Sequence, residues 1–310
     1  MAAPQFLTPT RGRAPQAAML ADGRRLHLQD GPIDLIIEAT GDPRAVRHAY
    51  AAATQRFAGL LDALCGELPA LRKPAGRDVL PLVHPVAQRM AEAVTPFADE
   101  LFITPMAAVA GSVADDILKA LICPGITRAY VNNGGDIALH LAQGARFTVG
   151  LVDRPDQPRL LGRATIDANS PVRGVATSGW RGRSFSLGIA DAVTILAPTA
   201  AMADAAATVV ANAVDLPGHR GVVREAACDL QPDSDLGTLQ VTRHVPRLGA
   251  AERSEALAGG VTVARALLSR GLIYAAALHL QGDTALQGDT ASAGITNFVP
   301  LQPQQEQPDA

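Results

Sequence analysis

Asp204 and Thr208 stand four residues apart in an otherwise apolar run, AMADAAATVVANAV, over residues 201–214. Side chains at i and i+4 share one face of a helix, so the two oxygens can converge on one point. Their neighbours Met202, Ala205, Ala206, Val209, Val210 and Val214 are apolar nearly all round, which predicts a buried helix. A buried carboxylate is costly unless it is ion-paired, hydrogen-bonded or bound to a cation. No Lys or Arg lies within a turn of Asp204. Mg²⁺ and Ca²⁺ prefer oxygen donors, so the pair suits a hard cation. The other reading is that Asp204 accepts backbone N–H groups of a neighbouring loop.

Three further segments carry candidate chemistry. TPMAAVAGSVADD (104–116) is a helix start dense in small residues. It reads either as close packing or as a place where a backbone carbonyl near Ala110 and Gly111 stays free to face a cation. NNGGD (132–136) is either a hairpin turn, because paired glycines supply positive φ, or a nest of N–H groups for a phosphate. Thr177-Ser178-Gly179 is a polar turn followed by Trp180, Arg181, Gly182 and Arg183. Two arginines beside hydroxyls could hold a diphosphate by charge-assisted bonds, or form a solvated loop. The sequence has no Walker loop, G-x-S-x-G or G-x-G-x-x-G, and no His or Cys spacing suited to zinc. No residue stands out as catalytic.

With 27 basic and 30 acidic residues in 310 and no basic block, nucleic acid and anionic membrane are excluded as expected partners. No uncharged apolar run reaches membrane-span length. Cys65, Cys123 and Cys228 are odd in number and widely spaced, which predicts buried, reduced thiols. The N-terminus lacks a signal-peptide core, so a cytoplasmic location is expected. The oligomeric state stays open, a homo-oligomer included.

The elements that must position these residues follow from pattern and punctuation. Alternating stretches at 24–29 and 34–39 flank Asp30-Gly31 and predict a hairpin. Asp42-Pro43 caps a helix expected to run to about Cys65, and a Pro-rich connection leads to a shorter one at Val86–Val94. Thr104-Pro105 opens a helix through Leu121. Strands are expected at Ile126–Val131, Ile137–Leu141, Phe147–Val152, Leu161–Ile166 and Ala192–Leu196. After a polar stretch come a helix from about Ala251 to Ser269 and a last strand within Leu272–Leu280. LQGDTA occurs twice in tandem, at 280–285 and 286–291, before a Gln/Pro-rich end. The expected class is α+β: mainly antiparallel sheets packed with helices in one compact domain. Residues 1–19 are read as a disordered segment, 20–280 as the domain and 281–310 as a low-complexity tail.

In order, PMAAVAGSVAD, NNGGDIAL, GVATSGWRGRSFSLGIADAVTIL and AMADAAATVVANAV resemble the ApbE superfamily, the FAD:protein FMN transferases. The resemblance is closest to its uncharacterised cytoplasmic sister branch and is best over 104–214. It implies a Mg²⁺ site made by the Ala110 carbonyl, Asp204 and Thr208. It also implies a site for FAD or a related flavin nucleotide along Asn133, Gly134, Gly135, Asp136, Thr177, Ser178 and Gly179, with Arg181 and Arg183 beside it. The transferases carry a His-Ile-Ile-Asp-Pro segment shortly after Thr-Ser-Gly, whose His serves transfer. Here that stretch is Gly182-Arg183-Ser184-Phe185-Ser186, and arginine cannot act as a base. The family's Ala-Lys-Gly also lacks its Lys in Ala110-Gly111. The leading expectation is therefore a protein that binds a flavin or other dinucleotide with Mg²⁺, with metal-assisted diphosphate chemistry. The alternatives are an FMN transferase with a non-His base and a non-catalytic flavin-binding or regulatory module. A titratable group in the cleft would favour the enzyme readings.

Overall fold

The computed structural model describes residues 14–76, 81–154, 160–288 and 295–300. The chain begins with β1 (Gln16–Met19), β2 (Leu26–Asp30) and β3 (Ile33–Gly41), then α1 (Pro43–Phe57), α2 (Leu60–Leu71) and α3 (Pro85–Val94). A 3-10 turn leads into α4 (Val109–Leu121), followed by β4 (Ile126–Asn133), β5 (Asp136–Leu141), β6 (Arg146–Val152), β7 (Leu160–Asp167), β8 (Gly174–Ser178) and β9 (Ala192–Ala197). Next come α5 (Ala200–Ala213), β10 (Val223–Ala226), the single turn α6 (Ala227–Leu230), β11 (Gln240–His244) and α7 (Ala250–Ser269). The last strands are β12 (Ala275–Leu280), β13 (Asp283–Gln287) and β14 (Ile295–Pro300).

Nine strands form one sheet in the order β1-β2-β3-β4-β5-β8-β9-β12-β13, and every pairing in it is antiparallel. Alternation decides which side is buried. Leu35 and Ile37 of β3 and Ala129 and Val131 of β4 are fully covered by the helical layer, while Glu38, Arg128 and Tyr130 point to the other face. The helices thus cover one face. A small sheet, β14-β7-β6, covers part of the other through Leu151, Ala164 and Ile166, packed on Leu139, Val175 and Leu196. The α+β, mainly antiparallel architecture expected from the sequence is what the chain adopts. No helix of the described residues is long and apolar enough to cross a membrane.

Several expectations need correction. The helix expected to run from Asp42 to Cys65 is two, because Gly59 takes a left-handed φ of 76° and restarts the chain as α2. Residues 16–19, expected to be disordered, form an exposed edge strand on β2. The expected tail also contributes to the fold. The first LQGDTA copy turns β12 into β13 through Gln281 (φ 45°) and Gly282 (φ 96°), and β14 pairs with β7. The turn is anchored: the Gln281 amide donates to Asp191 Oδ2 (2.6 Å) and its side chain bonds Pro246 O and Leu248 N. The expectations for residues 1–13, 289–294 and 301–310 lie outside the described residues. The three thiols are unpaired but only partly buried.

Candidate functional site

α5 is buried nearly all round, as its composition requires, and α4 packs beside it. Their contact depends on Gly111: a Cβ there would stand 2.2 Å from the Ala200 carbonyl oxygen. Gly174 does the same from β8, where a Cβ would lie 2.0 Å from the Thr199 carbonyl. The start of α5 is therefore lodged between two glycines.

Each of these helices caps the other. The first turn of α4 has no side-chain cap of its own, and Asp204 Oδ2 on α5 accepts the Gly111 N–H at 2.9 Å. The first turn of α5 has Thr199 as N-cap, and Asp115 on α4 accepts the N–H groups of Ala200 (3.1 Å) and Ala201 (2.9 Å). A carboxylate at a helix N-terminus meets both unpaired N–H groups and the positive end of the dipole. Asp204 thus does hydrogen-bond a neighbouring backbone, as the structural alternative requires. Asp115 was not singled out by the sequence; its only signal is the Asp-Asp pair buried in an apolar stretch.

Hydrogen bonding to α4 is not the whole of Asp204's environment. Burial raises its pKa well above the usual carboxylate range, and the Asp136 charge raises it further against the opposing α4 amides. Asp136, at the start of β5, is itself pushed up to about 7 by burial, opposed by the Thr177 amide and by Arg183. Both carboxyls lie deep among protein atoms yet keep part of their surface open. Neither makes an ion pair among the described residues.

Thr54, Thr95 and Thr262 each donate their hydroxyl to the carbonyl four residues back. Thr208 makes no such bond, which leaves its hydroxyl oxygen unengaged on the Asp204 face. The Ala110 carbonyl, inside the first turn of α4, accepts Asn133 Nδ2 at 3.1 Å in addition to its helical N–H partner. That bond ties the β4–β5 turn to α4. No trio of His, Cys, Asp or Glu suited to a metal exists among the described residues. The polar groups of this region are oxygen donors: two carboxylates, a hydroxyl and a carbonyl.

The turn itself is a hairpin with Gly134 at φ 67° and Gly135 at φ 117°, and the Gly135 N–H donates to Asn132 Oδ1 at 2.8 Å. Arg183 lies across it: a Cβ on Gly134 would come within 2.1 Å of Nη2. Thr177 and Ser178 end β8 rather than sit in a turn, and Thr177 Oγ1 pairs with Thr194 Oγ1 at 2.9 Å. Gly179 then turns the chain, where a Cβ would stand 2.5 Å from the Asp191 carbonyl oxygen. The two arginines are treated differently. Arg183 is exposed and reaches over Gly134, whereas Arg181 Nε donates to the buried Asp191 at 2.8 Å and its guanidinium stacks on Trp180. Asp191, joining the Arg181 turn to the β12–β13 turn, is a positioning residue that the sequence did not reveal.

A solved flavinyl transferase ApbE from Pseudomonas stutzeri is 11% identical, covering 90% of this chain and 96% of its own, with a TM-score of 0.39. A variant of the flavin transferase ApbE from Vibrio cholerae is 12% identical over 90% and 98%, with a TM-score of 0.37. At these scores the fold stands on its own topology. A UPF0280 protein of Methanococcoides burtonii is 36% identical over 121 residues, covering 39% of this chain and 49% of that protein. Another, from Methanopyrus kandleri, is 38% identical over 127 residues, 41% and 48% of the two chains. The aligned part spans about half the length of these curated relatives. The model of the family described as AbpE bacteria matches residues 17–286, and the chain belongs to that family.

Proposed function

We propose that this protein binds a flavin-type dinucleotide together with Mg²⁺ in the cleft between the β4–β5 turn, the end of β8 and α5. The observation that carries the proposal is the meeting of Asp136 and Asp204 in a part-open cleft with no Lys or Arg ion pair, beside the unengaged Thr208 hydroxyl. Two converging carboxyls are unfavourable for the apo fold, and a divalent cation would offset that repulsion. Asp204, Thr208 and the Ala110 carbonyl would hold Mg²⁺, with the Asp136 carboxyl near Asp204. The cation's contribution is to neutralise charge developing on a diphosphate. Gly134, Gly135, Ser178 and Gly179 leave room at the rim, and Arg183 can swing from Gly134 to a phosphate oxygen. Arg181 keeps the Gly179 turn in place through Asp191. Asp136 places a titratable carboxyl beside Asp204, which favours an enzyme over a passive binder. Transfer of FMN to a protein hydroxyl through Arg183 is not proposed, since a permanent cation cannot serve as the base. Unpaired cysteines support a cytoplasmic setting.

Thermal melting in EDTA and in Mg²⁺ tests the site. Mg²⁺ raises the Tm of the wild type by mass action, and Asp204→Asn, which keeps an acceptor for the Gly111 amide, folds but no longer responds. An Asn variant that responds as the wild type does would make Asp204 a helix cap and nothing more.

A further inference from the structure

The open face of the large sheet carries a groove of about 420 Å³, lined by Arg24, Glu38, Thr40, Arg128, Tyr130, Arg146, Phe147 and Thr148. We propose that this groove is a second binding site, and that it takes a compact, multiply charged oxyanion held by Arg24, Arg128 and Arg146. The groove forms where β6, the free edge of the small sheet, rises over the uncovered strands β3 and β4. It is separate from the Asp204 cleft. Arg128 is five residues from Asn133 along β4, roughly 17 Å at about 3.3 Å per residue, and on the face away from the helices.

The charges there are out of balance and poorly engaged. Neither the Arg24 nor the Arg146 guanidinium makes a hydrogen bond or ion pair with the described residues. Arg128 has only contacts of 3.4 Å, to Thr40 Oγ1 and to the Arg146 carbonyl, and lies over the Phe147 ring at 5.3 Å. Tyr130 packs edge-on against the same ring, 5.9 Å between centroids. The neighbouring acids are engaged elsewhere: Asp22 pairs with Arg25, and Asp167, opposite Arg146, accepts the N–H groups of Asn169 and Ser170. Glu38 alone faces three arginines, and its contact with the Tyr130 hydroxyl is long, at 3.5 Å. Guanidinium forks pair with carboxylate or phosphate oxygens in two-point geometry, and an aromatic floor lowers the local dielectric around them. A phosphate ester and a dicarboxylate share that chemistry.

Titration calorimetry of the full chain in EDTA, with inorganic pyrophosphate and with succinate, reads the site without any cation in the cleft. The expected result is saturable binding of at least one anion, weakened tenfold or more in Arg128→Gln/Arg146→Gln. Asp204→Asn leaves it unchanged, and Glu38→Gln, removing the one repulsive charge, tightens it. Preference for pyrophosphate assigns a phosphate ester; preference for succinate assigns a dicarboxylate. Binding lost in Asp204→Asn but kept in the arginine variant would move the anion to the cleft and overturn the proposal. So would binding of neither anion, or of a Glu-rich peptide alone.

Discussion

Replacing Asp136 by Asn should stabilise the protein at alkaline pH. Asp136 is pushed up from an ordinary 3.8 to about 7, so the folded chain binds more protons than the unfolded one between those values. Stability is then highest below about pH 4 as far as this group is concerned, and falls as pH rises through 7. Three decades of proton affinity correspond to about 4 kcal/mol, at about 1.4 kcal/mol per decade. Asp136 titrates with Asp204 as a pair and keeps part of its surface toward solvent, so about 1–2 kcal/mol is expected. Asn retains an acceptor for the Thr177 amide and has no charge to bury. Urea unfolding in EDTA, followed by circular dichroism at pH 5.5 and 8, measures the difference. The variant's advantage should grow between pH 5.5 and pH 8 by part of that amount, the remainder of the loss falling between pH 4 and 5.5. Added Mg²⁺ should narrow the difference at pH 8, because the cation offsets the Asp136 charge that the variant lacks. A variant less stable than the wild type at pH 8 in EDTA would refute the repulsion on which the cation site rests.

Gly111→Ala replaces a poor helix former by the best one, a gain of about 1 kcal/mol on an exposed helix. Here the methyl would meet the Ala200 carbonyl oxygen at 2.2 Å, so a net loss of about 1–3 kcal/mol is expected in denaturant unfolding. Asp115→Ala leaves the Ala200 and Ala201 amides unpaired in a buried place and should cost about 1–3 kcal/mol by the same measure, with no effect on the Mg²⁺ response. Thr208→Val keeps shape and removes the oxygen; stability should stay within about 0.5 kcal/mol, while the Mg²⁺-induced rise in Tm shrinks.

Local geometry around the candidate site was legible before the fold. The i, i+4 spacing of Asp204 and Thr208, the small residues around Gly111 and the glycine pair at 134–135 each imply a local geometry, and those geometries meet. What escaped reading is non-local. Asp204 reaches Gly111 across 93 residues, Asp115 reaches Ala201 across 86, and neither bond leaves a mark in local pattern. β8 passed for a turn because Gly174–Ala176 is buried without alternation. β1 is fully exposed Gln-Ala-Ala-Met, a strand only because β2 offers it an edge. The repeated LQGDTA looked like low-complexity tail. Its first copy is a structured turn because Asp191, ninety residues earlier, accepts the Gln281 amide. Arg181 read as a phosphate ligand for the same reason: its partner Asp191 looks unremarkable ahead of an apolar strand.

The cation cleft is tested most directly by titrating FAD into the wild-type chain with Mg²⁺ and again with EDTA, and repeating both with Asp204→Asn. FAD should bind the wild type at least tenfold more tightly with Mg²⁺, while the Asn variant shows one weak affinity in both. Equal FAD affinity for the wild type with and without Mg²⁺, or no FAD binding in either, would contradict a site in which Asp204, Thr208 and the Ala110 carbonyl hold a cation for a diphosphate.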